Sequence, residues 1–160
     1  MDSSCDATLG NENLRRYNMK VRDIMTNHVV RIGAEEPVEA AARALTHYNV
    51  GILPVCGADG RVCGMVTDRD LVTRCLAPGR SAADVKVRQV MTGRVVTAGP
   101  DMDLREAAEL MSREQLRRLP VVENGKLCGM VTLGDLASTE RSTLDAAQAL
   151  QHITSNICRK

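Results

Sequence analysis

The chain writes nearly the same string of residues twice, and a duplicated string restricts the fold to two similar units related by pseudo-symmetry. Val21-Arg22-Asp23-Ile24-Met25-Thr26 returns as Val87-Arg88-Gln89-Val90-Met91-Thr92. Cys63-Gly64-Met65-Val66-Thr67, with Asp70-Leu71 close behind, returns as Cys128-Gly129-Met130-Val131-Thr132, with Asp135-Leu136 behind it. The spacing between copies shortens by one residue at the turn around Gly57 and Gly60, so the repeat survives a deletion. Each copy is too small to stand alone on its own core, so the 160 residues read as one module. A duplicated unit tends to carry its sites where the copies meet, and function is expected there.

Composition narrows the partners. Apolar residues make up 44% and charged residues 26%, which is the balance of a globular chain rather than a disordered one. There is no Phe and no Trp, and Tyr17 and Tyr48 are the two tyrosines, so a bound ring must rest on aliphatic side chains. The missing stacking platforms, a net charge of +1 and the lack of a Lys/Arg run all count against nucleic acid. No apolar stretch approaches the roughly 20 residues that span a bilayer. The start Met1-Asp2-Ser3-Ser4-Cys5-Asp6 lacks a basic region followed by an apolar one, so a cytoplasmic, reduced protein without a membrane partner is expected. The six cysteines show no C-x-x-C pair, and Cys63 and Cys128 sit at matching places in apolar runs, as small core residues would.

Periodicity predicts an α/β (α+β) fold made of two β-α-β-β-α repeats packed about a pseudo-two-fold axis. In repeat one, His28 to Ile32 reads as a strand and Gly33-Ala34-Glu35-Glu36-Pro37 turns the chain into a helix, with Pro and acids at its start. Val38, Ala41, Ala42 and Leu45 give that helix an apolar face. Val50 to Cys56 and Arg61 to Thr67 are strands joined at Ala58-Asp59-Gly60, and a helix through Leu71, Val72 and Cys75 ends by Pro78-Gly79. In repeat two, Val95 to Ala98 is extended, Leu104 to Glu114 helical, Arg118 to Val122 and Lys126 to Thr132 strands, and a helix starts near Gly134. The divisions expected are a tail over 1–18, repeats over 19–78 and 85–138, a loop-like linker over 79–84, and a C-terminal helix over 139–160. Leu144, Ala147, Leu150, Ile153 and Ile157 form the stripe that this last helix would bury.

Two features carry chemistry. At Gly64-Met65-Val66-Thr67-Asp68-Arg69-Asp70 and Gly129-Met130-Val131-Thr132-Leu133-Gly134-Asp135 a strand runs into a helix, so free N–H groups and an acid gather at one corner. Such a corner suits a polyol or phosphate; equally, Thr67 and Thr132 suit helix caps, with Asp70 and Asp135 complementing the dipole. Repeat two also has Arg117-Arg118 where repeat one has Gly51-Ile52. Adjacent arginines on a strand point to opposite sides and offer forked donors suited to phosphate, or they pair with nearby Glu114 or Glu123. No nucleophile motif, no P-loop and no Gly-x-Gly-x-x-Gly is present, and His28, His47 and His152 fall in separate elements, so no enzyme is read here.

The paired openings, the Leu-Pro-Val strands at 53–55 and 119–121, and the Gly-Met-Val-Thr-x-x-Asp closings resemble a tandem of cystathionine-β-synthase (CBS) domains, a Bateman module, over about residues 20–137. The resemblance implies a regulatory sensor that requires no cofactor and binds an adenosyl ligand, AMP, ADP, ATP or S-adenosylmethionine, in clefts between the repeats. It implies one cleft in which Thr26, Val30, Val50 and Gly51 enclose the base, Thr132 and Asp135 hold the ribose and Arg118 the phosphate. The other takes Thr92, Val96, Leu116 and Arg117 together with Thr67, Arg69 and Asp70. Gly51 and Ile52 in place of arginines, and Gly134 in place of Arg69, imply unequal sites, with the first cleft preferred. It also implies a homodimer, for which the small faces of Val38–Leu45 and Leu104–Met111 allow close helix approach, and an unknown effector protein as target. Two rivals remain: a ligand-free scaffold docking partners through residues 140–157, and a thiol or metal sensor using Cys56, Cys63 and Cys128.

Overall fold

Proline cannot donate to a β-ladder, and Pro54 shows how the first sheet accommodates one. The computed structural model describes residues 19–139 and 143–155. Strand β1 (Ile32–Gly33) runs parallel to β2 (Ile52–Cys56), and β2 runs antiparallel to β3 (Val62–Thr67). β1 reaches only Val55 and Cys56, so Pro54 withholds nothing from it. Opposite Pro54 stands Met65, whose N–H and C=O both bond Thr92 (3.0 and 2.8 Å) rather than β2. Pro54 therefore occupies a pair that needs no ladder bond.

Two compact units hold the described residues, and they do not follow the repeat boundaries. One gathers 26–97 with 120–129; the other gathers 19–25, 98–119 and 130–155. In the 26–97 unit, helix α2 (Val38–His47) connects β1 to β2 and buries Val38, Ala41 and Leu45, the spacing of one helical face. Its core also takes Leu53, Val55, Val66, Leu71 and Cys75, and Val85, Val87 and Val90 from the opening of repeat two. The first N–H groups of α2, which have no partner inside the helix, donate to the linker: Val38 to the Val85 carbonyl and Glu39 to that of Ala82, both 2.9 Å. Val87 then donates to the Glu36 carbonyl (2.9 Å) and Arg88 to that of Ala34 (3.0 Å).

The second unit repeats this docking with the roles of the copies exchanged. Val21, at the start of helix α1 (Val21–Ile24), donates to the Met102 carbonyl (2.9 Å) and Arg22 to that of Pro100 (3.0 Å). These precede α4 (Leu104–Glu114), capped by Asp103 and burying Leu104, Ala107, Ala108 and Met111. Each opening string thus seats itself beside the first helix of the other copy, which is why a repeat in sequence is not a unit in space.

In the 26–97 unit, α3 (Asp68–Leu71) passes into a π-helical turn (Val72–Leu76), and a short 3-10 turn spans Val87–Gln89. Strands β4 (Arg118–Glu123) and β5 (Lys126–Thr132) form a hairpin that enters α5 (Leu133–Ala137), and α6 (Thr143–Ser155) closes the described chain. Several edges differ from expectation. The first strand is confined to Ile32–Gly33, and residues 93–97 form no strand; the extended pairing there is the single antiparallel bridge of Thr92 with Met65. Helix α6 packs on α4 and α5 through Ala146, Ala149 and Ile153, whereas Leu144 and Leu150 are exposed. Of the expected stripe Ile153 is buried, joined by Ala146 and Ala149, whose small side chains bring the helix close; Leu144, Ala147 and Leu150 lie exposed beside it, and Ile157 and the expected tail over 1–18 lie outside the described residues. Ser112 Oγ and His152 Nδ1 share a hydrogen bond (2.9 Å) that joins α4 to α6.

The thiols are used as core atoms. Cys63 Sγ donates to the Val55 carbonyl and Cys128 Sγ to that of Val121, while Cys56 and Cys75 are buried. Burial pushes the Cys56 thiol above its usual range, partly offset by Arg31. The neutral thiol thus favours the folded state at neutral pH, and that contribution is lost as the pH climbs past the unfolded thiol's pKa. Accordingly, iodoacetamide at pH 8 should modify Cys56 and Cys75 far more slowly in the native protein than after denaturation, by mass spectrometry; equal rates would contradict the burial. Val87→Ala, which empties a fully buried position, should cost about 2 kcal/mol in urea unfolding. Gly64→Ala drives a Cβ into Met91 Sδ and to 3.2 Å from the Thr92 carbonyl oxygen, and should cost about 1–3 kcal/mol.

Candidate functional site

Both strand-to-helix corners are closed by reciprocal caps. Asp70 N–H donates to Thr67 Oγ1 (3.1 Å), and Asp70 Oδ2 accepts from Thr67 N–H (2.9 Å) and from its hydroxyl (2.7 Å). In repeat two, Asp135 N–H donates to Thr132 Oγ1 (3.1 Å), and Asp135 Oδ2 accepts from Thr132 N–H and hydroxyl, both 2.8 Å. The capping reading of Thr67, Thr132, Asp70 and Asp135 is thus realised. It uses one carboxylate oxygen of each acid.

The other oxygen distinguishes the copies. Asp70 Oδ1 lies 3.4 Å from Arg74 Nη1, and that guanidinium nitrogen also donates to the Val90 carbonyl (2.7 Å) and Thr92 Oγ1 (3.3 Å). Arg74 therefore ties Asp70 to Thr92, two residues expected in one site, and was itself missed: its i,i+4 spacing from Asp70 was the one local signal, while Val90 and Thr92 lie far along the chain. The matching position in repeat two is Thr139, whose hydroxyl donates to the Leu136 carbonyl (2.7 Å). Among the described residues Asp135 has no ion pair, so its Oδ1 remains open to an incoming hydroxyl donor.

Neighbours of the caps also differ. In repeat one the Gly51 carbonyl accepts from Asp68 N–H (3.3 Å), and a Cβ on Gly51 would stand 3.6 Å from Asp68 Oδ2. In repeat two the Arg117 carbonyl accepts from Leu133 N–H (3.0 Å). Gly51 thus adjoins the Thr67 corner and Arg117 the Thr132 corner, each within its own copy, whereas the expected clefts grouped them crosswise. Arg117, Arg118, Thr132, Leu133, Gly134 and Ala137 line a cavity of about 550 Å³ whose remaining lining is α6: Thr143, Ala146, Ala147 and Leu150. Its surface is largely apolar apart from the two arginines, which are exposed and have no ion pair among the described residues; the expected partners Glu114 and Glu123 are not theirs.

Of the other expected residues, Val30 lines a separate cavity of about 560 Å³ with Arg31, Tyr48 and Cys128. Val50 donates to the Leu45 carbonyl and Leu116 to that of Met111 (3.0 and 2.9 Å), each just after a left-handed residue (Asn49, Gln115), so both close the C-termini of the helices before them. Thr26 and Arg69 are exposed and Val96 half-buried, and none of them lines the arginine cavity. Among the described residues no three His, Cys, Asp or Glu side chains come together as a metal set, and no helix is long and apolar enough to cross a membrane.

Comparison with known proteins gives this geometry a setting. The CBS domain family model matches residues 21–77 and 87–141. The CBS domain-containing protein YhcV of Bacillus subtilis is 39% identical over 134 residues, covering 84% of this chain and 94% of its own. Hypoxic response protein 1 of Mycobacterium tuberculosis is 34% identical over 116 residues, 72% of this chain and 81% of its own. Among solved structures, Hypoxic Response Protein I with two coordinated zinc ions is similar with a TM-score of 0.70 at 33% identity, covering 75% of this chain and 98% of that one. A CBS domain pair in complex with methylthioadenosine and S-adenosyl-L-methionine is similar with a TM-score of 0.67 at 26% identity, covering 75% and 94%.

The unequal wiring of the corners has a measurable signature. Arg74→Ala removes charge-assisted bonds to a carbonyl and a carboxylate and should cost about 1–3 kcal/mol, whereas Thr139→Ala should stay within about 0.5 kcal/mol. Thr67→Ala and Thr132→Ala should each cost about 1 kcal/mol as lost caps. Urea titrations of the four variants check the set.

Proposed function

Because the chain belongs to the CBS domain family, as a tandem pair, we propose that it is a sensor that binds an adenosyl ligand at the Thr132–Asp135 corner of repeat two. Proteins built from such pairs are regulatory modules, and one structural neighbour is named for a complex with methylthioadenosine and S-adenosyl-L-methionine. The observation that carries the reading is the cavity lined by Thr132: two arginines without ion pairs among the described residues and an aliphatic wall, at the corner that Asp135 caps through Oδ2 alone. In this reading Asp135 Oδ1 accepts from ribose hydroxyls, Arg117 and Arg118 hold phosphate, and Leu133 and Ala137 support the base without aromatic stacking. Two cationic heads repel a sulfonium, so AMP, ADP and ATP are favoured over S-adenosylmethionine. The Asp70 corner, its carboxylate held by Arg74, serves structure in the same reading.

The chain carries no reaction in this proposal: it reports occupancy to an effector protein. A homodimer accompanies it, with exposed Val72 and Leu76 on the π-helical turn as apolar surface for a second copy, while the inner face of α4 is taken by α6.

Calorimetric titration of AMP, ATP and S-adenosylmethionine tests the assignment. ATP should bind the wild type, and Arg118→Ala should weaken it about tenfold to a hundredfold, the equivalent of one charge-assisted hydrogen bond of roughly 1.5–3 kcal/mol. Asp135→Ala should abolish or strongly weaken binding, while Asp70→Ala, which loses an equivalent cap, should leave it within about twofold. No heat with any of the three, or equal losses from Asp70→Ala and Asp135→Ala, would sink the reading.

A further inference from the structure

The C-terminal helix is built into the arginine cavity rather than standing apart from it. Thr143, Ala146, Ala147 and Leu150 supply one side, and the β4 and α5 residues supply the other. The helix is lightly held: it buries two alanines and one isoleucine along thirteen residues, against α4 and α5; Ser112 to His152 joins it to α4, and at its first residue Thr143 Oγ1 donates to the Ala137 and Thr139 carbonyls (3.2 and 3.0 Å). Alanine offers little apolar area, so this docking contributes far less than the burial of the leucines and valines in the core. Leu150, 45% exposed, lines the cavity instead of the packed interface. A molecule lying between the guanidiniums and α6 would cover Leu150 and Ala147 and hold the helix from the side its own packing leaves bare.

We propose that α6 is a ligand-coupled wall: an anion with an apolar body, seated on Arg117 and Arg118, binds the docked helix and shifts its equilibrium toward the docked state. The inference rests on the adenosyl-ligand reading and adds the element that carries the signal. A ligand that contacts α6 only when it is docked has the differential affinity that a population shift requires. Linkage then makes the effect reciprocal, so whatever captures the undocked helix lowers affinity for the anion by the same factor.

Hydrogen exchange of the full-length protein, with and without saturating ATP, tests the coupling directly. Amides of residues 143–155 should exchange at least about tenfold more slowly with ATP, matching 1.4 kcal/mol of added docking free energy, while amides of β2 change little. Ala147→Glu sets a carboxylate on the exposed side of the helix that faces the two guanidiniums. It should weaken ATP at least about tenfold, with α6 exchange in the free protein no faster than in the wild type, and Ala147→Gln should weaken it less. If ATP binds the wild type but leaves α6 exchange unchanged, or binds Ala147→Glu as tightly, the coupled wall is refuted and the sensor reading stands. If ATP, AMP and S-adenosylmethionine all fail to bind the wild type, both fall together.

Discussion

Two backbone bonds per copy govern this architecture. Val21 and Arg22 donate to the loop before α4, and Val87 and Arg88 donate to the loop before α2, so each copy begins inside the other. A loop approached this way has its carbonyls satisfied, and the helix behind it starts from a fixed place. The valines that accompany these bonds are fully buried, so hydrophobic burial and hydrogen bonding enforce the same docking. The corners that follow β3 and β5 belong to units whose buried residues include the opening string of the opposite copy.

On this common frame the copies have diverged in charge. The Thr-x-x-Asp caps match to within about a tenth of an ångström, so selection on the caps alone cannot explain the differences around them. Repeat one has spent its acid on Arg74 and has no side chain at Gly51. Repeat two has two arginines without acids and an acid without an arginine. One copy pairs its charges internally; the other leaves Arg117, Arg118 and Asp135 without ion pairs among the described residues.

Much of this was legible in the residues. The duplication, the helical face of Val38, Ala41 and Leu45, the strand pairs and the Thr-x-x-Asp corners are all local patterns, and local patterns follow from periodicity and cap chemistry. The exchange of Val21 and Val87 between copies is not local: a string and its exchanged copy look identical, and only backbone bonds tell which helix it joins. Arg74 was hidden for a related reason, since Val90 and Thr92 lie well beyond helical spacing. On α6 the leucine stripe attracted attention by hydrophobicity, but close approach selected the alanines, which a hydrophobicity count ranks lower.

The linker carries a consequence of its own. Residues 79–84 look like a tether, yet the carbonyls of Ala82 and, just after it, Val85 terminate the first turn of α2. Lengthening such a segment normally perturbs a protein little, because loop entropy grows slowly with size. Here an inserted residue or a proteolytic nick would strip a helix of its acceptors and unseat the valines beside them. What resembles slack is a structural member, and its length is as constrained as that of any strand.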